Sequence, residues 1–229
     1  MALIGAGYWG PNLARHFSTL DDSTLVAICD LDPDRLSSLA KSFPHARLLQ
    51  HAEDVFRDPG IDAVAIATSV QTHYQLALQA LRAGKHVWVE KPLALKSSHA
   101  EDLARLSTNN GLILMVDHTY EYHPAIPYIK DLLRKGDFGK LLHINAVRTN
   151  LGIARSDHGA LWSLAPHDVS ILLYLLDEEP YEVTAEGNIF LQPELSIEDM
   201  AFVTLKFPSG IIGRIHVSWL HPEKVRDLT

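Results

Sequence analysis

The feature that most constrains this chain is a glycine pattern at its start. Residues 2–4 form an apolar run typical of a short strand, and the six residues that follow match G-x-G-x-x-G. The first glycine permits a tight turn, the second lets backbone approach a pyrophosphate, and the third lets a helix pack on the strand. A helical pattern then begins at Pro11, and a helix N-terminus attracts anions. With a purely structural turn as the alternative, the motif predicts a dinucleotide site at Gly5, Gly7, Tyr8, Trp9 and Gly10.

An acidic residue lies twenty residues after the last glycine of the motif. Asp30 directly follows the apolar run at residues 25–29, which indicates a second strand. A carboxylate at this point accepts hydrogen bonds from the ribose hydroxyls of the cofactor and repels a 2′-phosphate. Arg35 is an opposing signal because a guanidinium can bind a phosphate, although an exposed helix position also explains it. We therefore expect NAD as the cofactor, with NADP disfavoured.

Strands and helices alternate through the first half of the chain. The apolar runs at residues 62–67, 86–89 and 112–116 are typical of strands that are buried on both faces, as in parallel sheets. A helical pattern over residues 72–82 connects the first two of them. Alternation of this kind predicts an α/β domain of the Rossmann type, with a doubly wound parallel sheet. We place this domain at residues 1–119.

The pattern changes in the second half of the chain. A helix is predicted over residues 124–135, and apolar and polar residues then alternate along residues 142–146, 181–186, 201–207 and 211–219. This alternation predicts an open, mainly antiparallel sheet with one covered face. We therefore expect an α+β domain at residues 120–229, for substrate binding and oligomerisation. Because the chain stops just after a hairpin, we expect this domain to be incomplete.

Composition excludes several classes of protein. The formal net charge is −8 and the basic residues do not cluster, so no nucleic-acid partner is expected. No apolar run reaches the roughly 20 residues of a membrane span, so no membrane partner is expected either. A single cysteine, Cys29, suits a cytoplasmic protein and excludes thiolate zinc sites, and H-E-x-x-H is absent, so we expect no metal. No Tyr precedes a Lys by four residues, which argues against a short-chain dehydrogenase.

A second motif, Glu90-Lys91-Pro92, directly follows the apolar run at residues 86–89. It therefore lies at the carboxyl edge of the predicted sheet, where cofactors bind. Together with the segments 67–73, 84–92 and 162–168, this motif resembles the sequences of the glucose-fructose oxidoreductase / inositol dehydrogenase / MocA (Gfo/Idh/MocA) family. The resemblance covers essentially the whole chain.

The resemblance implies both an activity and an assembly. The activity is an NAD(P)-dependent oxidation of a ring hydroxyl, or the reverse reaction, on a sugar, an inositol or a nucleotide sugar. The assembly is a homodimer or homotetramer that uses the open sheet. In the family, the residues that match Lys91 and His167 are catalytic. This chain departs from the family at Ser163, where an Asp is frequent, and in ending before the further sheet strands of family members.

The chemistry of an alcohol oxidation gives Lys91 and His167 separate roles. An imidazole titrates near neutral pH, and apolar residues at helical spacing after His167 place it in the first turn of a buried helix. The positive end of that helix would keep the ring neutral and able to accept a proton. The Lys91 ammonium would stabilise the developing alkoxide. The alternatives are a core or capping histidine and a surface lysine.

Further candidates surround these two residues. Thr68, His73 and Glu90 are expected to line the cofactor site together with Lys91. Asp168 either binds a substrate hydroxyl or complements the helix N-terminus. Arg155 and Trp162 are candidate substrate contacts, through a guanidinium and an indole face, and a structural role is open for each.

Three functional interpretations remain open. The first is reversible hydride transfer between NAD and a secondary hydroxyl. The second is a non-catalytic sensor that binds NAD(P), which Ser163 and the early end of the chain suggest. The third is a partly folded fragment of an enzyme, which would aggregate through its exposed sheet edge.

Overall fold

The computed structural model describes residues 1–151, 155 and 158–229. The chain divides into two compact units, Met1–Asp117 and His118–Thr229. None of the described helices combines the length and the apolar character that a bilayer crossing requires.

The first unit is a Rossmann fold, which confirms the predicted doubly wound sheet. Its elements are β1 (Ala2–Ile4), α1 (Gly10–Thr19), β2 (Ala27–Cys29), α2 (Pro33–Ala40), β3 (Arg47–Leu49), α3 (Ala52–Arg57), β4 (Ala63–Ile66), α4 (Val70–Arg82), β5 (His86–Val89), α5 (Ser97–Asn109) and β6 (Leu114–Val116). Within the described residues the six strands are parallel and follow the order β3-β2-β1-β4-β5-β6. The short pair β3 and α3 was not predicted, because β3 is largely exposed and carries no apolar alternation.

The strand order reverses at β1, which places a crevice at the carboxyl end of that strand. Leu3 of β1 is in register with Ile28 of β2 on one side and with Ala65 of β4 on the other. In open α/β sheets, ligands bind outside the carboxyl ends of the strands at this reversal. The turn that follows β1 is the glycine motif, so the fold puts the motif at the expected ligand crevice.

The second unit is an α+β fold with an open sheet. After a 3₁₀ turn at Thr119–Tyr122 its elements are α6 (Ala125–Lys135), β7 (His143–Thr149), α7 (Ala160–Leu176), β8 (Glu182–Asn188), β9 (Met200–Lys206), β10 (Ile212–Ser218) and β11 (Val225–Leu228). In the described part of the chain the strand order is β11-β7-β10-β9-β8, with β7 and β10 parallel and the other neighbours antiparallel. The predicted mainly antiparallel sheet is confirmed. The final strand β11 was not predicted. It begins at Val225, beyond the last alternating run, which ends at residue 219.

Helix α7 covers one face of this sheet. A Cβ atom at Gly213 of β10 would overlap Leu172 of α7, so a glycine is needed for the helix to approach this closely. On the other face, half-exposed Phe202 of β9 stacks on His216 of β10 with ring centroids 4.4 Å apart. The homodimer or homotetramer through the open sheet stays a prediction.

The position of His167 within α7 corrects the sequence-based expectation. The helix begins at Ala160, so His167 lies near its middle and not in its first turn. Glu198 explains the early start, because its carboxylate accepts a hydrogen bond from Leu161 N at 3.1 Å and its carbonyl accepts one from Ala160 N at 2.9 Å. The argument that the positive end of a helix keeps the imidazole neutral is therefore wrong, since that field falls off within the first turn.

Candidate active site

The turn after β1 is built so that two of its three motif glycines are required for folding. Gly5 has a φ of 105°, and a Cβ there would lie 2.6 Å from the backbone of Ala67. A Cβ at Gly10 would overlap the carbonyl oxygen of Gly5. At Gly7, by contrast, a Cβ would meet only the end of the Arg35 side chain, 3.7 Å away, among the described residues. Gly7 therefore has room beside its backbone, next to the movable end of Arg35, and a pyrophosphate needs this room to approach.

The N-terminus of α1 adds the means to bind an anion. Its first turn reads Gly10-Pro11-Asn12-Leu13 and carries no charged side chain. Pro11 has no N–H, and those of Asn12 and Leu13 donate to the carbonyl of Trp9 at 3.0 and 3.3 Å, so the attraction comes from the positive end of the helix. Tyr8 and Trp9 flank it with their rings stacked at 6.4 Å, and Tyr8 is 92% exposed. The residues of this turn fit the phosphates of a dinucleotide.

Asp30 is fixed to the same turn by its own side chain. Its Oδ2 accepts a hydrogen bond from Ala6 N at 2.7 Å, and its Oδ1 accepts one from Asp32 N at 2.9 Å. Arg35 approaches from α2, with its Nη1 3.7 Å from Oδ2 of Asp30. The carboxylate is therefore held beside the glycine turn, at the place where a ribose hydroxyl of a bound dinucleotide would need an acceptor.

Thr68 and His73 follow β4, the next strand along the carboxyl edge. The ring of His73 lies 2.8 Å from the carbonyl oxygen of Pro92 through Nδ1 and 3.1 Å from that of Thr68 through Nε2. Burial lowers the pKa of His73 against the opposing effect of these carbonyls, and the residue is only 1% exposed. Its expected place in the lining of the cofactor site is thus corrected: His73 joins the two loops that carry Thr68 and Lys91.

Lys91 and Glu90 lie at the carboxyl end of β5, both partly buried. Glu90 N donates to the carbonyl of Ile66 at 2.9 Å, which extends the β5–β4 pairing to this residue. Asp117 follows β6 in the same way, with its N–H on the carbonyl of Val89 at 2.9 Å. Sequence reasoning missed Asp117, although an acid placed directly after a predicted strand was a visible signal.

His167 in the second unit packs against Tyr120. The two rings meet edge to face with their centroids 4.8 Å apart. The guanidinium of Arg148 lies over the Tyr120 ring, 4.2 Å from its centroid. Burial pushes the pKa of Tyr120 upward, but Arg148 and Arg226 outweigh it and hold that pKa below its ordinary value. Tyr120 and its two arginines therefore form a fixed, positively charged wall beside the imidazole.

Asp168 belongs to this wall and not to an open substrate surface. Its two carboxylate oxygens accept hydrogen bonds from Nε and Nη2 of Arg148 at 2.8 and 2.7 Å, and the residue is 3% exposed. The expected substrate contact is corrected, because both oxygens are engaged by a bidentate, buried guanidinium. Arg148 itself was missed, although a charge in phase with Ile144 and Ala146 on the inner face of β7 is unusual.

Removing the charge of Asp168 is expected to destabilise the protein by about 3–5 kcal/mol, because Asp168→Asn leaves Arg148 buried without its counter-charge. Asp131→Asn in α6 is the matched control, because Asp131 pairs with Lys135 and both side chains are more than half exposed. Its loss should be much smaller, since an exposed ion pair contributes little to stability. Urea unfolding of both variants measures the difference, and equal losses would contradict the structural role of Asp168.

The other predicted substrate contacts are exposed. Arg155 is exposed, and its carbonyl accepts a weak hydrogen bond from Gln192 at 3.4 Å. Trp162 lies exposed in the first turn of α7. Ser163 is partly buried, and its N–H closes the first turn on the carbonyl of Gly159 at 3.0 Å. The substrate roles of Arg155 and Trp162 stay predictions. Across the described residues, no group of three or more His, Cys, Asp or Glu is placed to hold a metal ion.

Family models match both units. The model of an oxidoreductase family with an NAD-binding Rossmann fold matches residues 1–118, and the model of the GFO/IDH/MocA C-terminal domain matches residues 126–228. The chain belongs to the Gfo/Idh/MocA family. The predicted resemblance is confirmed, and the first unit is the NAD-binding domain of a Gfo/Idh/MocA oxidoreductase.

Named relatives of this Gfo/Idh/MocA chain include inositol dehydrogenases. It is 27% identical to myo-inositol 2-dehydrogenase of Thermotoga maritima over 94% of this chain and 67% of the relative. It is 30% identical to inositol 2-dehydrogenase of Acidothermus cellulolyticus over 95% and 65%, respectively. The structure of GenD2 from gentamicin A biosynthesis, in complex with NAD, superposes with a TM-score of 0.91 at 26% identity, over 99% of this chain and 67% of that one. The chain thus spans about two thirds of the length of these relatives.

Proposed function

We propose that this protein transfers a hydride reversibly between NAD and a secondary hydroxyl of a sugar, an inositol or a nucleotide sugar. The observation that carries the proposal is the turn after β1, where Gly7 has room beside its backbone and Asp30 is fixed next to the turn by Ala6 N. Membership of an NAD-binding oxidoreductase family supports the reaction class. Two of the relatives are named as inositol dehydrogenases, which supports a polyhydroxylated ring as substrate.

The proton chemistry is assigned to Lys91 and His167. NAD, when bound, supplies the acceptor for the hydride and its electron pair. The Lys91 ammonium donates a hydrogen bond to the substrate oxygen and stabilises the negative charge that develops there. His167 accepts the hydroxyl proton, and acid–base help of this kind is worth roughly 10²–10⁴-fold in rate. Tyr120, packed edge to face on the ring at 4.8 Å, fixes the plane of the imidazole.

The charges around Asp30 favour NAD over NADP. Arg35 is the cation that could bind a 2′-phosphate, but its Nη1 lies 3.7 Å from Asp30 and its Nε lies 3.3 Å from Asp32. Two carboxylates and one guanidinium leave a net negative charge, and the additional phosphate of NADP would be repelled. The Asp30 carboxylate, which is 10% exposed, keeps its direction because backbone N–H groups hold it.

Asp30→Ala tests this assignment. Loss of a charged acceptor is expected to weaken NADH binding about tenfold or more, because hydrogen bonds to charged groups contribute about 1.5–3 kcal/mol. The affinity for NADPH should fall less, so the ratio of the NADH affinity to the NADPH affinity should decrease. Asp34→Asn, an exposed acid in the first turn of α2, is the control and should leave both affinities unchanged. Titration of both nucleotides by fluorescence measures this, and an unchanged preference in Asp30→Ala would refute the charge argument.

The reaction itself is tested by a screen of sugars, cyclitols and nucleotide sugars, with absorbance of NADH as the readout. Turnover on one of these substrates supports the dehydrogenase. Ser163, where the family frequently has an Asp, favours a second candidate function, a sensor that binds NAD(P) without turnover. Binding of NADH without turnover on any substrate would support that sensor and contradict the enzyme.

A further inference from the structure

Two carboxyl groups lie side by side at the carboxyl edge of the first sheet. Strands β5 and β6 are parallel neighbours with Val89 opposite Val116, so the residues that follow them, Glu90 and Asp117, occupy adjacent positions. Backbone hydrogen bonds pin both residues, from Glu90 N to Ile66 O and from Asp117 N to Val89 O, each at 2.9 Å. The fold therefore brings two acids together where Coulomb repulsion between two carboxylates would be large.

Sharing a proton would reduce this repulsion. The side chains of Glu90 and Asp117 act on each other through hydrogen bonding as well as through charge, and two carboxyl groups can form a hydrogen bond only if one of them is protonated. Burial and then the charge of Asp117 raise the pKa of Glu90 to about 7. Glu90 therefore holds its proton below neutral pH and gains a negative charge as that proton leaves to solvent.

Lys91 is tied to this pair. Its backbone N–H donates to the Glu90 carboxyl group, and its ammonium opposes the rise in the pKa of Glu90. On the α4 side, His73 faces Lys91, whose charge contributes to lowering the pKa of that histidine. The groups that act on Glu90 are therefore Asp117 from the end of β6 and Lys91 from the same loop.

We propose that Glu90 and Asp117 form one proton-sharing site, which holds the backbone of Lys91 and sets the charge beside its ammonium. The consequence of this site rests on the proposed function: the affinity for the oxidised cofactor relative to the reduced one should depend on pH. Loss of the shared proton adds a negative charge next to Lys91. That charge favours the positively charged nicotinamide of NAD⁺ over the neutral ring of NADH. Glu90 and Asp117 are positioning residues and act through Lys91.

The first test measures the proton without any cofactor. A carboxyl group whose pKa is raised on folding binds its proton more tightly in the folded state, so Glu90 contributes stability that is lost as pH rises from about 5 to about 8. Asp117→Asn keeps a hydrogen-bonding group but removes the neighbouring charge, so the pKa of Glu90 falls. The urea midpoint of Asp117→Asn should therefore rise relative to wild type across this interval, and Glu90→Gln should do the same.

The control is Asp102→Asn in the same unit. Tyr74 and Arg105 hold the pKa of Asp102 below its usual range, so this carboxyl stays ionised across the interval and its substitution should give a constant offset. If the midpoints of Asp117→Asn and Glu90→Gln also differ from wild type by a constant amount, the shared proton is refuted.

The second test uses NAD⁺ and NADH as probes in calorimetry at the two ends of the same interval, about pH 5 and about pH 8. In wild type the ratio of the NADH and NAD⁺ dissociation constants should rise several-fold with pH, and in Asp117→Asn it should stay constant. An identical pH dependence in both proteins would overturn the role beside Lys91. If neither nucleotide binds, the proposed function fails together with this consequence, while the unfolding comparison still decides whether the pair shares a proton.

Discussion

Gly10→Ala is expected to destabilise the protein by about 3 kcal/mol or more, whereas Gly7→Ala should weaken nucleotide binding without this loss of stability. The Cβ of Gly10→Ala would overlap the carbonyl oxygen of Gly5, a backbone atom that cannot move without disrupting the turn. The Cβ of Gly7→Ala would meet only the flexible end of Arg35 at 3.7 Å among the described residues. It would instead occupy the space through which a pyrophosphate reaches the backbone.

The two substitutions are matched, since each adds one methyl group to the same turn. For Gly7→Ala we expect a change in unfolding free energy within about 0.5 kcal/mol, typical of a surface substitution. Its affinity for NADH should fall at least about tenfold, equivalent to about 1.4 kcal/mol. Urea unfolding and NADH fluorescence measure the two quantities. A stable Gly7→Ala protein that binds NADH like wild type would show that this turn does not hold the cofactor.

Loss of turnover is the second large effect expected. Lys91→Ala removes the ammonium that stabilises the alkoxide, and His167→Ala removes the proton acceptor, so each should lower kcat by roughly 10²–10⁴-fold. Binding of NADH should persist in His167→Ala, because the glycine turn and Asp30 lie in the other unit. It should also persist in Lys91→Ala, because Ala6 N still holds Asp30 at the turn. Steady-state rates on the substrate found in the screen, together with NADH fluorescence, separate catalysis from binding.

Two exposed residues serve as controls for these variants. Lys96→Ala alters an exposed lysine five residues further along the same connection, and His143→Ala alters an exposed histidine on β7 of the second unit. Both should keep wild-type rates. If Lys91→Ala and His167→Ala also turned over at wild-type rates, neither residue would carry the proton chemistry.

Local patterns made much of the fold predictable. The glycine motif determines the turn after β1, because positive φ at Gly5 and the close approach at Gly10 depend on residues within this short segment and on the strand beside it. Continuous apolar runs distinguish the buried parallel strands of the first unit, and period-two alternation distinguishes the half-covered sheet of the second unit. Each signal lies within a single element, so it is visible in the sequence.

Contacts between distant residues were not predictable in this way. The start of α7 depends on Glu198, 37 residues from its partner Leu161, and the buried role of Asp168 depends on Arg148, 20 residues away. Neither sequence separation follows from the period of a helix or a strand, so the residue pattern does not reveal these contacts. The same holds for Tyr120, which comes from the 3₁₀ turn before α6 and packs on His167. The residues of the candidate site were therefore predictable by type, and the partners that orient them were not.

Calorimetric titration of the folded chain with NAD⁺, NADH, NADP⁺ and NADPH tests the central claim most directly. The room beside the backbone of Gly7 and the carboxylate of Asp30, held by Ala6 N at 2.7 Å, predict binding of NAD⁺ and NADH and weaker binding of their phosphorylated forms. If none of the four nucleotides gives a binding signal with folded protein, the turn after β1 is not a cofactor site, and the proposed oxidoreductase activity is contradicted with it.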